Sequence, residues 1–348
     1  MSTRARLLLI VAVGVNLLCF ALAQYGNRDL LRGDFKMFYT AAVALRSGHK
    51  ADLYSPELHR SMQSALLPAL PVADVKVFTH PPYELLVFLP LSFLPYQKAI
   101  YLWAAITLLF ALVSGRLLGN YWCWLAIRPD RHLWAGLTLG LGLFRFPIVI
   151  PLALLVVVWK PSVIRGLLIS GTTILLLSVY MVHFAGMTAY FDDLIRMSRA
   201  SASAISQTYQ IDPRTMPTIR ELTFSISPKI SKVAAIIDLT LLALSVRFMR
   251  SALNPEPKFA LAVIVAILIS PHSLIDDLAL IAIPFVLLIE TGHYRAGLAL
   301  VPFYRAPLCI LFYPHRQALL ALPLASSAVL IAVANARPML NILGCMPA

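Results

Sequence analysis

Long apolar segments alternate with short polar connections along most of the chain. A helix needs about 20 apolar residues to cross the hydrocarbon core of a bilayer. The pattern therefore predicts an all-α, polytopic integral membrane protein with about ten transmembrane segments. The predicted segments cover residues 7–25, 97–118, 133–144, 146–159, 163–184, 230–249, 259–270, 274–289, 295–312 and 316–333.

Basic residues lie at alternate connections, and this predicts the orientation of the chain. Cytoplasmic loops of membrane proteins collect Lys and Arg. Arg4 and Arg6 precede the first segment, and Arg116, Lys160 and Arg247 lie at later inner ends. We predict a multi-pass protein of the plasma (bacterial inner) membrane with a cytoplasmic N-terminus. Residues 21–24 also resemble a signal-peptidase site, so cleavage of the first segment stays open.

Two longer polar regions, residues 26–96 and 185–229, are predicted to lie outside the cytoplasm within one transmembrane domain, 1–348. Asp34 is a favourable N-cap for a helix over residues 35–47 with an apolar face, which predicts an interfacial helix. A second helix is predicted to begin at Pro56. Residues 80–94 are apolar but too short to span, so we expect a re-entrant or interfacial segment. The pair Asp192–Asp193 is predicted to lie on a solvated helix face.

Composition narrows the class of protein. Hydrophobic residues make up 59% of the chain and charged residues 13%, which excludes an ordinary soluble enzyme. The positive-inside rule accounts for the net charge of +13, so no nucleic-acid partner is expected. The four cysteines form no CxxC motif and no Asp-x-Asp motif occurs. We therefore expect no metal and no other cofactor.

Several polar residues are predicted to gather at the extracytoplasmic face: Asp34, His80, Arg145, Arg220 and His272. Each has a plainer interpretation. Asp34 would only cap its helix, and Arg145 would only extend from the membrane to the interface. His272 and Asp276 share a helix face, but Ser273 and Asp276 also fit a capping box. The sequence alone does not decide between these interpretations.

The order of several short motifs resembles glycosyltransferase family 87, the polyprenyl-phosphate-mannose-dependent mannosyltransferases of the GT-C fold. The similarity extends over roughly residues 30–290. The motifs that carry it are Gly33-Asp34-Phe35, Tyr39, Ser47-Gly48-His49, Asp52-Leu53-Tyr54, His80-Pro81-Pro82-Tyr83, Leu89-Pro90-Leu91, and the segments 140–146, 216–222 and 270–274.

The resemblance implies a sugar transferase whose co-substrate is a polyprenyl-phosphate sugar and whose acceptor is a glycolipid or glycan hydroxyl. Asp34 matches the position of the catalytic acidic residue in the first outer loop. An inverting transfer needs such a carboxylate as general base and cations on the leaving phosphate. We expect Arg145, His272 and Arg220 to bind the donor phosphate. Tyr39, His80, Tyr83 and Asp276 are predicted to line the sugar or acceptor pocket.

One difference from the family keeps two alternatives open. Family members carry a further hydrophobic hairpin where residues 119–131 form a short connection here. A reduced, inactive relative acting as a membrane scaffold is the first alternative. A lipid or solute transporter is the second, since Asp238 lies within a predicted span. Membrane lipids are partners in every case.

Overall fold

The computed structural model describes residues 34–67, 75–118, 131–199, 216–227, 231–251, 254–270, 273, 277, 280–300 and 321–342. These residues form α-helices joined by short 3₁₀ turns, and they include no β-strand. The all-α class predicted from the sequence is therefore confirmed.

The α-helices of these residues are numbered in chain order. They are α1 Phe35–Arg46, α2 Pro56–Leu66, α3 Leu85–Phe88, α4 Tyr96–Leu118, α5 His132–Leu141, α6 Phe146–Trp159, α7 Ile164–Arg199, α8 Ile219–Ile226, α9 Ser231–Met249, α10 Pro255–Leu268, α11 Ala282–Glu290, α12 Tyr294–Ala299 and α13 Ala321–Ile342. Short 3₁₀ turns cover Pro82–Glu84, Pro90–Phe93, Gly142–Arg145 and Pro161–Val163.

The helices divide into two compact units. The described residues of Gln24–Asn120 and Leu168–Asp212 form what we call the loop unit. Those of Tyr121–Leu167 and Pro213–Ala348 form the bundle unit. The single transmembrane domain over residues 1–348 stays a prediction.

Helix α1 is the core element of the loop unit. It begins after Asp34, whose carbonyl oxygen accepts a hydrogen bond from the Met37 amide at 3.0 Å. It ends before Gly48, which has a φ of +90° that favours glycine. The predicted helix is confirmed, but it is not a surface helix with one buried face. Lys36 and Thr40 are as fully buried as the apolar residues, because α2, α3 and the 90–93 turn also pack on α1.

Helix α7 contains a kink at the point where the sequence predicts the outer end of a span. His183 has non-helical angles, φ 58° and ψ −179°. Just beyond it, a Cβ on Gly186 would lie 2.7 Å from the carbonyl oxygen of Lys50. The part of α7 after the kink is the helix predicted in the second outer loop.

Asp192 and Asp193 were predicted to lie on a solvated helix face, and this prediction is wrong for Asp193. Asp192 is exposed, but Asp193 is 2% exposed. Arg196 lies 3.8 Å from Asp193, three residues away. Adjacent residues of a helix point about 100° apart, so Asp193 faces inward while Asp192 faces solvent.

Helix α10 is the centre of the bundle unit. Every residue from Pro257 to Leu268 is buried, and α6, α9, α11 and α13 pack around it.

At another crossing, α5 meets the turn and helix that follow α6 through two glycines, Gly136 and Gly166. A Cβ on either glycine would overlap the backbone of the other segment. Glycine therefore permits direct backbone contact here.

Among the residues that the structure describes, one helical segment, Pro161–Arg196, is long and apolar enough to cross a membrane. Phe146–Trp159 and Ala321–Ala334 are apolar but shorter. The helices α4, α6 and α9 match predicted segments closely in their bounds. Their crossing of a membrane stays a prediction, and the segment at residues 7–25 lies outside the described residues.

The Gly136 crossing gives a stability prediction. Gly136→Ala is expected to destabilise the protein by about 1–3 kcal/mol, because the new methyl group must push two backbones apart. Thermal unfolding in detergent micelles would measure the loss. Leu141→Ala, at an exposed position of the same helix, is the matched control. A Gly136→Ala variant as stable as this control would contradict the contact.

A buried histidine of α2 gives a pH prediction. His59 is 1% exposed, and its Nε2 lies 2.8 Å from the carbonyl oxygen of Leu53, to which it donates. Burial lowers the pKa of His59, and the hydrogen bond to Leu53 opposes this only in part. As pH falls below about 6.5, the unfolded chain therefore takes up this proton first, and folding stability decreases.

Unfolding measured between pH 7.5 and 5.5 tests the effect. His59 is expected to contribute a loss of at most about 1.4 kcal/mol per pH unit. In His59→Gln the amide keeps the donor to Leu53 but does not titrate, so the loss should shrink. His49→Gln, at an exposed position, should keep the wild-type dependence. An unchanged dependence in His59→Gln would contradict the assignment.

Candidate functional site

Asp34 lies at the start of α1, but its side chain does not cap the helix. Its Oδ1 lies 2.5 Å from the Nζ of Lys76, and 56% of the side chain is exposed. Asp34 therefore occupies the predicted N-cap position, but its side chain makes no capping hydrogen bond. The carboxylate is held by an ion pair at the surface of the loop unit and is accessible to solvent.

The position of Lys76 is set by Gln63. The buried amide of Gln63 donates to the Lys76 carbonyl oxygen at 2.6 Å and accepts from the Lys76 amide at 3.1 Å. The same amide nitrogen lies 3.4 Å from the hydroxyl of Thr40 on α1. Gln63 thus fixes the backbone of the segment that pairs with Asp34.

Alternate residues of the segment 76–80 contact α1. Lys76 pairs with Asp34, and the rings of Phe78 and His80 lie 5.8 and 4.7 Å from the ring of Phe38. Because residues four apart share a helix face, Asp34 and Phe38 project from one side of α1. The segment therefore places a carboxylate, an ammonium group and an imidazole along the same face.

His80 forms a pair with a carboxylate that the sequence interpretation missed. Its Nδ1 lies 2.9 Å from the Oε2 of Glu84, whose side chain is 6% exposed. The other oxygen, Oε1, has no hydrogen-bond partner among the described residues. The i,i+4 spacing within His80-Pro81-Pro82-Tyr83-Glu84 was the available signal. Glu84 is the strongest addition to the predicted site.

Three tyrosines surround the buried carboxylates of the loop unit. Tyr54 and Tyr190 have ring centroids 5.3 Å apart. Burial raises the pKa of Tyr54 well above its ordinary value, and the nearby Tyr190, Glu84 and Asp193 raise it further. Burial also raises the pKa of Tyr83, with the charge of Glu84 as the second cause. These phenols therefore stay neutral, and the hydroxyl of Tyr54 donates to the carbonyl oxygen of His80 at 2.9 Å.

Tyr39 has a structural environment. Its hydroxyl donates to the carbonyl oxygen of Leu94 at 2.7 Å, and its ring packs between Phe35 and Tyr96. The residue is 4% exposed. These contacts hold α1 to the turn before α4. They give no support to a role for Tyr39 in a sugar pocket, which stays a prediction.

In the bundle unit, Arg145 is anchored by Asp277. The Nε of Arg145 lies 3.2 Å from the Oδ1 of Asp277, which is buried, while the arginine side chain is 38% exposed. Arg145 therefore does more than extend from the membrane to the interface, because it also forms an ion pair with Asp277. With Nε engaged, the two terminal nitrogens remain as a pair of donors suited to a phosphate.

Arg220 has a more acidic environment. Its Nε lies 4.0 Å from the Oε1 of Glu221, and its charge also acts on the half-buried Asp238. Two nearby carboxylates compete with any anionic ligand. The geometry therefore favours Arg145 over Arg220 as a phosphate ligand.

The remaining predicted site residues, His272 and Asp276, lie outside the described residues. Of the others, Asp34, Tyr39, His80 and Tyr83 belong to the loop unit, and Arg145 and Arg220 belong to the bundle unit. Within the described part of the chain, no cluster of three or more His, Cys, Asp or Glu residues suits a metal ion.

Comparison with known proteins gives no match: no family model, no curated protein and no solved structure is similar to this chain. The resemblance to glycosyltransferase family 87 therefore rests on the short motifs alone.

Proposed function

We propose that the chain is a multi-pass membrane glycosyltransferase similar to family 87. It transfers a sugar, mannose by the resemblance, from a polyprenyl-phosphate donor to an extracytoplasmic glycolipid or glycan hydroxyl. Asp34 acts as general base, and the anomeric configuration inverts. The observation that carries the proposal is Asp34 itself, a carboxylate at the family's catalytic position that has no capping function and is accessible.

The chemistry assigned to Asp34 is a single proton transfer. The carboxylate removes the proton of the acceptor hydroxyl as that oxygen attacks the anomeric carbon. The bond from that carbon to the phosphate oxygen breaks on the opposite face, so one carboxylate suffices for inversion. An exposed Lys–Asp pair contributes only about 0–1 kcal/mol, so an incoming hydroxyl can displace Lys76 at little cost.

Arg145 is assigned to the leaving phosphate in this proposal. The negative charge on the phosphate grows as the sugar departs, and a guanidinium group stabilises it through two parallel hydrogen bonds. The ion pair with Asp277 supports this role because its 3.2 Å contact is to the Nε of Arg145, not to a terminal nitrogen. Arg220 and His272 remain weaker candidates for the same role.

The membrane assignment is supported by exposed apolar surface. Only 22% of the most apolar window of Pro161–Arg196 is buried. Its exposed residues include Leu168, Leu175, Leu176 and Tyr180. A continuous apolar surface of this kind is unfavourable in water and favourable in lipid. The scaffold and transporter alternatives share this membrane location, so activity measurements must separate them from the enzyme.

The role of Asp34 predicts the effect of Asp34→Asn. Turnover of radiolabelled polyprenyl-phosphate-mannose in nanodiscs should fall at least about 100-fold, because the amide cannot accept the proton. Folding stability should change by less than about 1 kcal/mol, since the ion pair is exposed. Glu57→Gln, at an exposed site of α2, is the control. A fully active Asp34→Asn protein would exclude Asp34 as base.

The role of Arg145 predicts weaker donor binding. Arg145→Lys keeps the charge that Asp277 requires but loses the planar pair of donors, so donor affinity should fall about 10-fold or more. Acceptor affinity should stay near the wild-type value. Arg165→Ala, at an exposed site of α7, should change neither affinity. A loss confined to acceptor affinity would contradict the phosphate role.

A further inference from the structure

His80 is held in place from several sides. Its ring lies 4.7 Å from the ring of Phe38 and 5.9 Å from that of Phe78. Its carbonyl oxygen accepts a hydrogen bond from the hydroxyl of Tyr54 at 2.9 Å. Its Nδ1 faces Glu84 at 2.9 Å. An imidazole fixed in this way has one ring orientation.

The side chain of His80 is partly exposed, at 26%. Its Nδ1 contacts Glu84, and the described residues provide no hydrogen-bond partner for its Nε2. A carboxylate oxygen accepts hydrogen bonds, so Nδ1 carries the proton in a neutral ring. Nε2 then holds the lone pair and acts as an acceptor.

Keeping the carboxylate of Glu84 buried in this position costs folding free energy. It is 4% exposed, and its Oε1 has no hydrogen-bond partner within the described residues. A buried carboxylate with one unsatisfied oxygen is not explained by packing. A role in holding His80 gives the buried carboxylate a reason to be there, since carboxylates commonly fix the tautomer of a histidine that binds another group.

We propose that Glu84 is a positioning residue that locks His80 as the Nδ1–H tautomer, so that Nε2 accepts a hydrogen bond from a sugar hydroxyl of the substrate. This inference rests on the proposed function. A hydroxyl is the matching group because it is a donor that carries no charge. The donor sugar and a glycan acceptor both supply such hydroxyls, so the test must separate them.

The first measurement needs no activity. In full-length protein with ¹⁵N-labelled histidine in nanodiscs, the His80 signal, assigned by its loss in His80→Gln, should show a protonated Nδ1. In Glu84→Leu the acceptor for Nδ1–H is lost, so the proton should shift toward Nε2. An unchanged tautomer in Glu84→Leu would overturn the positioning role. Glu57→Gln should leave the signal unchanged.

The second measurement is a double-mutant cycle on binding of polyprenyl-phosphate-mannose. Glu84→Leu, which removes the acceptor for Nδ1–H, should weaken donor binding at least 10-fold if Nε2 contacts the donor sugar. If it contacts the acceptor sugar, donor binding is kept and the acceptor KM rises by the same factor. In the His80→Gln background the added Glu84→Leu change should have no further effect.

The outcomes separate this inference from the proposed function. Fully additive losses in the cycle would show that Glu84 does not act through His80 and would overturn the inference. Wild-type protein that neither binds nor consumes the donor would refute the proposed function and the sugar ligand together. In that case the tautomer measurement would still decide whether Glu84 positions His80.

Discussion

Two hydrogen bonds join the side-chain amide of Gln63 to the backbone of Lys76. The arrangement of the polar side chains Asp34, Lys76 and His80 in the loop unit depends on them. A buried amide that both donates to and accepts from one residue fixes that residue in position and direction. Asp34 and His80 are both oriented through the segment fixed in this way. Since an unpaired buried amide costs about 1–3 kcal/mol, the arrangement is stable only when every partner is present.

The sequence predicted local features of the fold well. The bounds of α1, the positive φ of Gly48, the start of α2 at Pro56 and the Arg145 turn between two apolar helices all follow from short-range rules. These features depend on caps, turns and apolar length, which nearby residues determine. The kink at His183 likewise falls where the apolar run ends.

The site was predicted less well because its contacts join distant residues. Asp34 pairs with Lys76, 42 positions away, and no local rule relates them. Asp193 was predicted to be solvated because a single amphipathic helix does not reveal which borderline residues a partner covers. Glu84 was missed although it lies four residues from His80, because two prolines and a short 3₁₀ turn obscure the helical spacing. Sequence reasoning found the chemical groups but not their partners.

The pair between Arg145 and Asp277 has a consequence for how the protein is made. Roughly 130 residues separate the two partners. At ribosomal rates of about 5–20 residues per second, the arginine is synthesised roughly 7–26 seconds before the carboxylate that neutralises it. During that interval the bundle unit carries an uncompensated charge between α5 and α6. We therefore expect this turn to stay in a polar environment until Asp277 has been synthesised.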